Sequence, residues 1–247
     1  MPAPTKLLAV IPARYASQRF PGKPLALVGG IPMVVRVHRA TAQSGVFGKT
    51  VVATDDQRIA EVVTAAGGEV EITRADHATG TDRVAEVAAR YPDYDVVANV
   101  QGDQPFVHRG LLEALVAPYL RGERPEMTTI GCPLPADGAD DPNVVTVITG
   151  VDGRALYFSR SAIPYPRNPG PAPAYHHLGL YAFRSDFLAQ YAQLTPTPLE
   201  ASEGLEQLRV LEHGYTIGVS LVDASVPEVN TPEELEAANR LAADWDK

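Results

Sequence analysis

The sequence predicts an α/β fold with a mainly parallel sheet that is covered by helices on both faces. Short apolar runs alternate with amphipathic stretches at helical spacing, and no internal repeat interrupts this order. Strand, helix, strand repetition is typical of parallel sheets, which bind ligands at the carboxyl ends of their strands. At 247 residues the chain is long enough for one full core, so we expect a single domain spanning 1–247.

The elements follow from the hydrophobic periodicity. Five apolar runs predict strands at 7–11, 49–53, 96–100, 128–132 and 144–148. Amphipathic patterns predict helices at 32–44, 57–66, 82–90 and 109–120. The proline-rich stretch 163–174 predicts a loop. Beyond it we expect strands at 177–183 and 215–220 and helices at 203–212 and 233–243.

Composition excludes several functional classes. The single cysteine, Cys132, cannot form a disulfide framework or a cysteine metal cluster. A net charge of -9 argues against binding to nucleic acid or an anionic membrane, since both need a positive face. The apolar start at 7–11 is too short for a secretory core or a membrane span. We therefore expect a cytoplasmic protein with no membrane or nucleic-acid partner.

The loop after the first predicted strand concentrates positive charge. Arg14, Arg19 and Lys23 lie within ten residues of one another, with Ser17 between them. Because an α/β sheet binds its ligand at such a loop, a polyanion is the natural guest, although a solvated surface loop has the same composition. Pro24 follows Lys23 directly, so the segment is not a classical phosphate-binding P-loop.

A second polar turn follows the strand predicted at 96–100. Asp103 lies in this turn, where its carboxylate could ligate a divalent cation that bridges phosphates. An Asp that caps the next helix would look the same in the sequence. The segment 73–83 likewise opens a helix with hydroxyls, a glycine and charges, which suits either a nucleoside contact or a helix cap.

Taken together, these segments resemble the 3-deoxy-manno-octulosonate cytidylyltransferase (CMP-Kdo synthetase) family. The resemblance runs from about residue 8 to residue 235 and keeps the order of several blocks. They are IPARYASQRFPGKPL, VATDD, TRADHATGTDR, NVQGDQP, LYFSR, HHLGLYAFR and LEQLRVLEHG. The family implies a three-layer αβα nucleotide-diphospho-sugar transferase fold with a small dimerisation arm, and a homodimer. It also implies that Mg²⁺ and CTP are used to activate the sugar acid Kdo for lipopolysaccharide synthesis.

The resemblance also assigns roles to residues. It implies that the triphosphate is bound by Arg14, Ser17, Arg19 and Lys23, and the cytidine by Arg74, Asp76 and Thr81. It implies that Kdo is bound by Gln101, Arg160, His177, Tyr181, Glu206 and Gln207. Lys23, Arg14 and Asp103 would carry the catalytic charges, and Asp103 and Asn230 would bind the metal.

Asn230 departs from the family pattern. The family has an Asp in a VDTPEDL segment, whereas this chain reads VNTPEEL. Asn230 offers a carbonyl oxygen but no charge, which weakens a metal site unless another group such as Asp223 substitutes for it. The same change suits a paralogue that uses another sugar acid, such as a sialic acid or an amino-substituted Kdo, or an impaired nucleotide-binding homologue.

Overall fold

The computed structural model of the chain describes residues 4–16, 20–134, 141, 143–168 and 174–245. These residues fall into two units. The first comprises residues 1–113 and 226–247, and the second comprises residues 114–225. A single domain for the whole chain stays a prediction.

Among its described residues, the first unit holds six strands, four α-helices that follow or separate them, and a closing α-helix. The strands are β1 (Leu7–Ala13), β2 (Leu27–Val28), β3 (Ile31–Pro32), β4 (Lys49–Thr54), β5 (Glu69–Ile72) and β6 (Val96–Asn99). The helices are α1 (Met33–Gln43), α2 (Gln57–Ala65), α3 (Gly80–Ala88) and α4 (Arg109–Leu120), the last of which ends in the second unit.

The strands of the first unit pair in the order β5-β4-β1-β6, and every pair in this series is parallel. The run from Leu8 to Ile11 is completely buried, as expected for a strand with neighbours on both sides and helices over its faces. The parallel register aligns Val10 of β1 with Asn99 of β6. The loops that follow these two strands therefore leave the sheet at the same edge.

The second unit holds strands that pair mostly in antiparallel fashion. They are β7 (Met127–Pro133), β8 (Thr146–Thr149), β9 (Ala155–Ser159), β10 (Ala174–Arg184) and β11 (Ile217–Leu221). Only the β7 and β11 pair is parallel among the pairs described within this unit. Its helices are α5 (Ser185–Tyr191), α6 (Pro198–Glu203) and α7 (Leu208–Glu212), and the closing helix of the first unit is α8 (Pro232–Trp245).

The predicted α/β class is confirmed, and so is the parallel pairing in the first unit. One element was wrong: the helix expected at 203–212 does not begin until Leu208. Gly204 has a φ of 63° and ends α6, so the chain leaves the helical conformation at that residue. The loop predicted at 163–174 lies partly outside the described residues.

Candidate active site

The polar loops at the edge of the first unit's sheet line one cavity of about 610 Å³. Four residues singled out in the sequence lie on its wall, and they are Arg14, Lys23, Gln101 and Asp103. The turn at 101–103 lies close against β1, because a Cβ added at Gly102 would be 3.0 Å from the Pro12 carbonyl oxygen. A glycine is therefore what allows the two loops to approach each other this closely.

Lys23 connects two of the predicted metal ligands. Its ammonium donates to Asp103 Oδ2 at 2.8 Å and to Asn230 Oδ1 at 3.1 Å. The Lys23 side chain is only 15% exposed and that of Asp103 23%, so water screens the pair incompletely. Lys23 is placed by Gly22, which begins a short 3-10 helix with a φ of 74°.

A second carboxylate, that of Glu228, belongs to the same cluster. Its Oε1 accepts from Gln104 Nε2 at 2.9 Å, and its Oε2 accepts from Asn230 Nδ2 at 3.4 Å. Burial raises the pKa of Glu228, and repulsion by the Asp103 carboxylate raises it further. Hydrogen bonds from Gln104 and Asn230 oppose this rise, as does the charge of Lys23.

Arg83 adds a buried cation to the wall of the cavity. Its side chain is fully buried and pairs with Asp55, with 3.0 Å between Arg83 Nη2 and Asp55 Oδ1. Burial lowers the pKa of Arg83, Asp55 opposes this effect, and the neighbouring charge of Arg14 lowers the pKa further. Two guanidinium groups that repel each other across a cavity wall favour an anionic guest.

The residues predicted for cytidine binding differ in exposure. Arg74 and Asp76 form an exposed ion pair of 3.3 Å, which can open for a ligand at little cost. Thr81 is completely buried, and its Oγ1 accepts from Asn99 Nδ2 at 3.1 Å. Thr81 is therefore a buried contact between α3 and β6, whereas Arg74 and Asp76 face solvent.

Two predicted triphosphate ligands, Ser17 and Arg19, lie outside the described residues. On either side of them, the Gly22 N–H donates to the Tyr15 carbonyl at 2.9 Å. Arg14, at the start of this loop, is exposed and donates from Nη1 to the His77 carbonyl at 3.4 Å.

The second unit brings together three of the residues predicted to bind the sugar. Tyr181 donates its hydroxyl to Gln207 Oε1 at 3.0 Å, and the His177 and Tyr181 rings are 5.5 Å apart. The Nε2 of Gln207 is buried without a hydrogen-bond partner among the residues that the structure describes. A β-bulge in β10 lies between His177 and Tyr181, which is a common feature near functional sites.

The tautomer of His177 follows from its partner. Thr129 donates its only hydroxyl proton to the Leu180 carbonyl at 2.7 Å, so it must accept from His177 Nε2 at 2.8 Å. Burial lowers the pKa of His177 to about 3, with a smaller contribution from His176. His177 is thus a neutral ring whose Nδ1 is the acceptor.

Arg160 and Glu206, the other two predicted sugar ligands of the second unit, have different surroundings. Arg160 is exposed, and its side-chain Nε donates to the Glu203 carbonyl at 2.8 Å. The backbone N–H of Arg160 donates to the Glu203 carboxylate at 2.9 Å. Glu206 is half-buried in the turn before α7. Asp223, considered as a substitute for the missing metal charge, is exposed and belongs to this unit.

The donor set of the first unit fits a hard divalent cation. Asp103 and Asn230 both present oxygens to the Lys23 ammonium, so their oxygens already converge on one cation position. Mg²⁺ typically takes one or two protein carboxylates and completes its shell with substrate phosphates and water. Among the described residues there is no group of three or more acidic, histidine or cysteine side chains that could hold a metal alone.

Sequence reasoning missed two residues at this site. Arg83 lies in the TRADHATGTDR block, but its burial against the cavity is visible only in three dimensions. Glu228 gives no local signal, because it lies in a segment without regular structure.

In the part of the chain that the structure describes, no helix combines the length and apolar character needed to span a membrane.

Comparison with known proteins identifies the family. A cytidylyltransferase family model matches residues 8–217. The 3-deoxy-manno-octulosonate cytidylyltransferase of Acaryochloris marina is 60% identical over 94% of this chain and 95% of its own length. The enzyme of the same name from Synechococcus elongatus is 59% identical over 96% of this chain and 98% of its own length.

A solved structure agrees with these sequence matches. CMP:2-keto-3-deoxy-manno-octonic acid synthetase, complexed with CTP, superposes with a TM-score of 0.93 at 40% identity, covering 97% of this chain and 99% of that one. A cytidylyltransferase from Leptospira borgpetersenii, at 16% identity and a TM-score of 0.65, shares the fold. The chain belongs to the 3-deoxy-manno-octulosonate cytidylyltransferase family of enzymes.

Proposed function

We propose that this enzyme transfers CMP from CTP to 3-deoxy-manno-octulosonate (Kdo) in an Mg²⁺-dependent reaction that forms CMP-Kdo and diphosphate. The observation that carries this proposal is the cavity in which Arg14, Lys23 and Asp103 meet. The relative with a TM-score of 0.93 was solved with CTP bound, which supports the choice of nucleotide.

In this mechanism the anomeric hydroxyl of the sugar acid attacks the α-phosphorus of CTP in line. The bond from the α-phosphorus to the bridging oxygen breaks, diphosphate leaves and the hydroxyl proton is released. Such chemistry depends mainly on positioning and charge neutralisation, so no protein nucleophile is required. Arg14 and Lys23 would bind the phosphate oxygens, and Arg83 would add positive potential behind them.

Magnesium fits this scheme through Asp103 and Asn230, which would hold it beside the triphosphate. When bound, the ion supplies positive charge that neutralises the phosphate oxygens as the diphosphate leaves. For this to happen the Lys23 ammonium must shift from the two side-chain oxygens onto a phosphate. Lysine suits this change of partners, since its flexible side chain allows the ammonium to reach either the Asp103 and Asn230 oxygens or a phosphate.

The second-unit residues suit a polyhydroxylated acid. A guanidinium such as that of Arg160 can bind the sugar carboxylate, and Gln207 and His177 offer a buried amide donor and a ring acceptor for hydroxyls. Tyr181 and Glu206 complete the second-unit set that we propose for Kdo. Gln101, which we also propose as a Kdo ligand, belongs to the first unit and lies on the wall of its cavity. Buried groups of this kind discriminate strongly, because a sugar lacking the matching hydroxyl leaves them unpaired.

The test is a diphosphate-release assay with CTP, Mg²⁺ and a panel of sugar acids. We expect turnover with Kdo and much slower release with a sialic acid or an amino-substituted Kdo. Faster release with one of those acids would reassign the substrate. Calorimetric CTP binding without diphosphate release on any acid would indicate an impaired homologue.

We further propose that the enzyme works as a homodimer in the cytoplasm, as the resemblance implies. Light scattering after gel filtration should give the mass of two chains, and a monomer would contradict this.

A further inference from the structure

The segment before α8 places Glu228 beside the turn that carries Asp103. The Val229 N–H donates to the Asp103 carbonyl at 2.9 Å, and the Val229 side chain is completely buried. Glu228 and Asn230, on either side of Val229, both turn toward the cluster, since their side chains contact each other. One backbone hydrogen bond therefore fixes two functional side chains relative to Asp103.

These side chains form a continuous series of polar contacts. Glu228 accepts from Asn230 at 3.4 Å, Asn230 accepts from Lys23 at 3.1 Å, and Lys23 donates to Asp103 at 2.8 Å. The series holds two carboxylates and a single ammonium, which leaves an excess of one negative charge. Its total charge would rise by two, to one positive, if both carboxylates were replaced by amides.

The orientation of the Asn230 amide explains why an amide suits this position. Its oxygen faces the Lys23 ammonium and its nitrogen faces the Glu228 carboxylate. An Asp at position 230 would turn a charged oxygen toward Glu228, and the two anions would repel each other. The neutral amide of Asn230 is therefore compatible with the carboxylate of Glu228. Residue 230 lacks the charge of the family's Asp, and Glu228, two residues away, carries one.

We propose that Glu228 is a metal-site residue of this enzyme, supplying to the divalent cation on Asp103 the second negative charge that Asn230 cannot supply. The inference rests on the proposed function for the identity of the cation, and it concerns this chain's own residues. With nucleotide bound, the Lys23 ammonium would turn to the phosphates, and Asp103, Asn230 and Glu228 would together hold the cation. The Glu228 carboxylate would supply negative charge to it, as a ligand or as a supporting group.

A purely structural role for Glu228 makes a different prediction. Its Oε1 accepts from Gln104, a contact that helps to hold the segment against the turn. Glu228→Gln keeps an oxygen for this hydrogen bond, removes the charge and gives up only the longer contact of 3.4 Å with Asn230. A structural residue would therefore tolerate the change, whereas a residue of the metal site would not.

The experiment measures Mn²⁺ binding to the full chain by electron paramagnetic resonance of free Mn²⁺, at fixed CTP and without sugar acid. We expect Glu228→Gln to weaken Mn²⁺ binding by about 10- to 100-fold, the range for losing a supporting group of a metal site. The matched control is Glu236→Gln, at an exposed residue of α8, which should bind Mn²⁺ like the parent. Unchanged Mn²⁺ affinity in folded Glu228→Gln would overturn the proposal.

A double variant guards against an effect of misfolding. In Glu228→Gln with Asn230→Asp the two residues exchange roles, and the new Gln can donate to the new carboxylate. We expect this variant to recover most of the lost Mn²⁺ affinity, giving a positive coupling in the cycle. Failure to recover, in a variant with the parent's thermal transition, would count against the proposal.

The two proposals can fail separately. If the parent releases diphosphate and Glu228→Gln binds Mn²⁺ normally, the proposed function is supported and Glu228 is not part of the metal site. If Glu228→Gln binds Mn²⁺ weakly and the parent releases no diphosphate with any sugar acid, Glu228 is part of a metal site and the proposed function is wrong.

Discussion

At the scale of the residue, Lys23 shows how one side chain can serve two states of the site. Its ammonium pairs with the Asp103 carboxylate and also donates to Asn230 Oδ1, so a poorly screened carboxylate has a charged partner. In the function that we propose, the same ammonium would bind a triphosphate, and a divalent cation would replace it at Asp103. Lys23 would therefore pair with Asp103 in the free site and bind the substrate in the complex.

Replacing Lys23 with Met should lower the turnover number for diphosphate release by about 100- to 1000-fold, as removing one electrostatic stabiliser does at other sites. The change keeps the length of the side chain and removes only its charge. Lys6→Met, at an exposed residue of the same unit, is the matched control and should keep the parent's rate. Near-normal turnover in Lys23→Met would remove Lys23 from the mechanism.

His177 gives a prediction about stability and pH. Its pKa in the folded chain is about 3, below the ordinary value of 6.5. Because the folded pKa is lowered, the contribution of His177 to stability is present above pH 6.5 and is lost as the pH falls toward 3. The slope from this one group can reach about 1.4 kcal/mol per pH unit.

Denaturant unfolding at several pH values between these limits should separate His177 from the other groups. We expect the free energy of unfolding to fall less steeply with decreasing pH in His177→Gln than in the parent. Gln can still donate to Thr129, so the variant loses the titration and keeps the contact. Equal slopes in the two proteins would contradict a neutral buried ring.

At the scale of the element, the turn at 101–103 connects the sheet to the site. It lies between the end of β1, which Gly102 approaches closely, and the segment at 228–230, which is bonded to the Asp103 carbonyl. Parallel pairing of β1 with β6 brings the two loops to one edge. The position of Asp103 therefore depends on backbone contacts as much as on its own side chain.

Gly102→Ala should displace this turn, because the new methyl group would meet the Pro12 carbonyl oxygen at 3.0 Å. We expect loss of stability of about 1–3 kcal/mol, the usual cost of overpacking, together with weaker CTP binding measured by calorimetry. Gly110→Ala is the control, since its methyl group would make only ordinary contacts at 3.5 Å in α4. If Gly102→Ala binds CTP with the parent's affinity, the turn accommodates the added methyl group and the prediction is wrong.

The elements also show what sequence can and cannot predict. Central strands such as β1 and β4 are legible because both faces are buried, so their residues form continuous apolar runs. Strand β5 was missed, since Glu69 and Glu71 interrupt its apolar pattern and its conformation depends on pairing with β4. The helix predicted at 203–212 was wrong because the pattern ignored what Gly204 does to the backbone.

The residues of the candidate site also include some that the sequence could predict and one that it could not. Arg14, Lys23 and Asp103 could be predicted because each follows a strand in a polar loop, and such loops meet at one edge of a parallel sheet. Glu228 could not be predicted, since more than 120 residues separate it from Gln104, its hydrogen-bond donor. Its place in the cluster follows from contacts of the folded chain, namely this hydrogen bond and the one from the Val229 N–H to the Asp103 carbonyl.

In the molecule as a whole, positive side chains cluster at one place although the net charge is negative. The chain carries -9 overall, yet Arg14, Lys23 and Arg83 converge on one cavity wall. Local positive potential on an acidic protein favours a small polyanion and disfavours nucleic acid, which needs an extended positive surface. Binding of the triphosphate should therefore be strongly electrostatic.

Raising the salt concentration should weaken CTP binding more than CMP binding, because CTP presents more charge to the same cations. Between 0.1 M and 1 M salt the screening length falls from about 10 Å to about 3 Å. Calorimetric titrations of both nucleotides across this range measure the difference. The same salt dependence for CTP and CMP would place the β- and γ-phosphates away from the cations.

The most direct measurement is a crystal structure of the enzyme with CTP and Mg²⁺. The account predicts the triphosphate in the first unit's cavity, with phosphate oxygens on Arg14 and Lys23 and the metal on Asp103. A nucleotide bound elsewhere, with these cations facing bulk water, would contradict it.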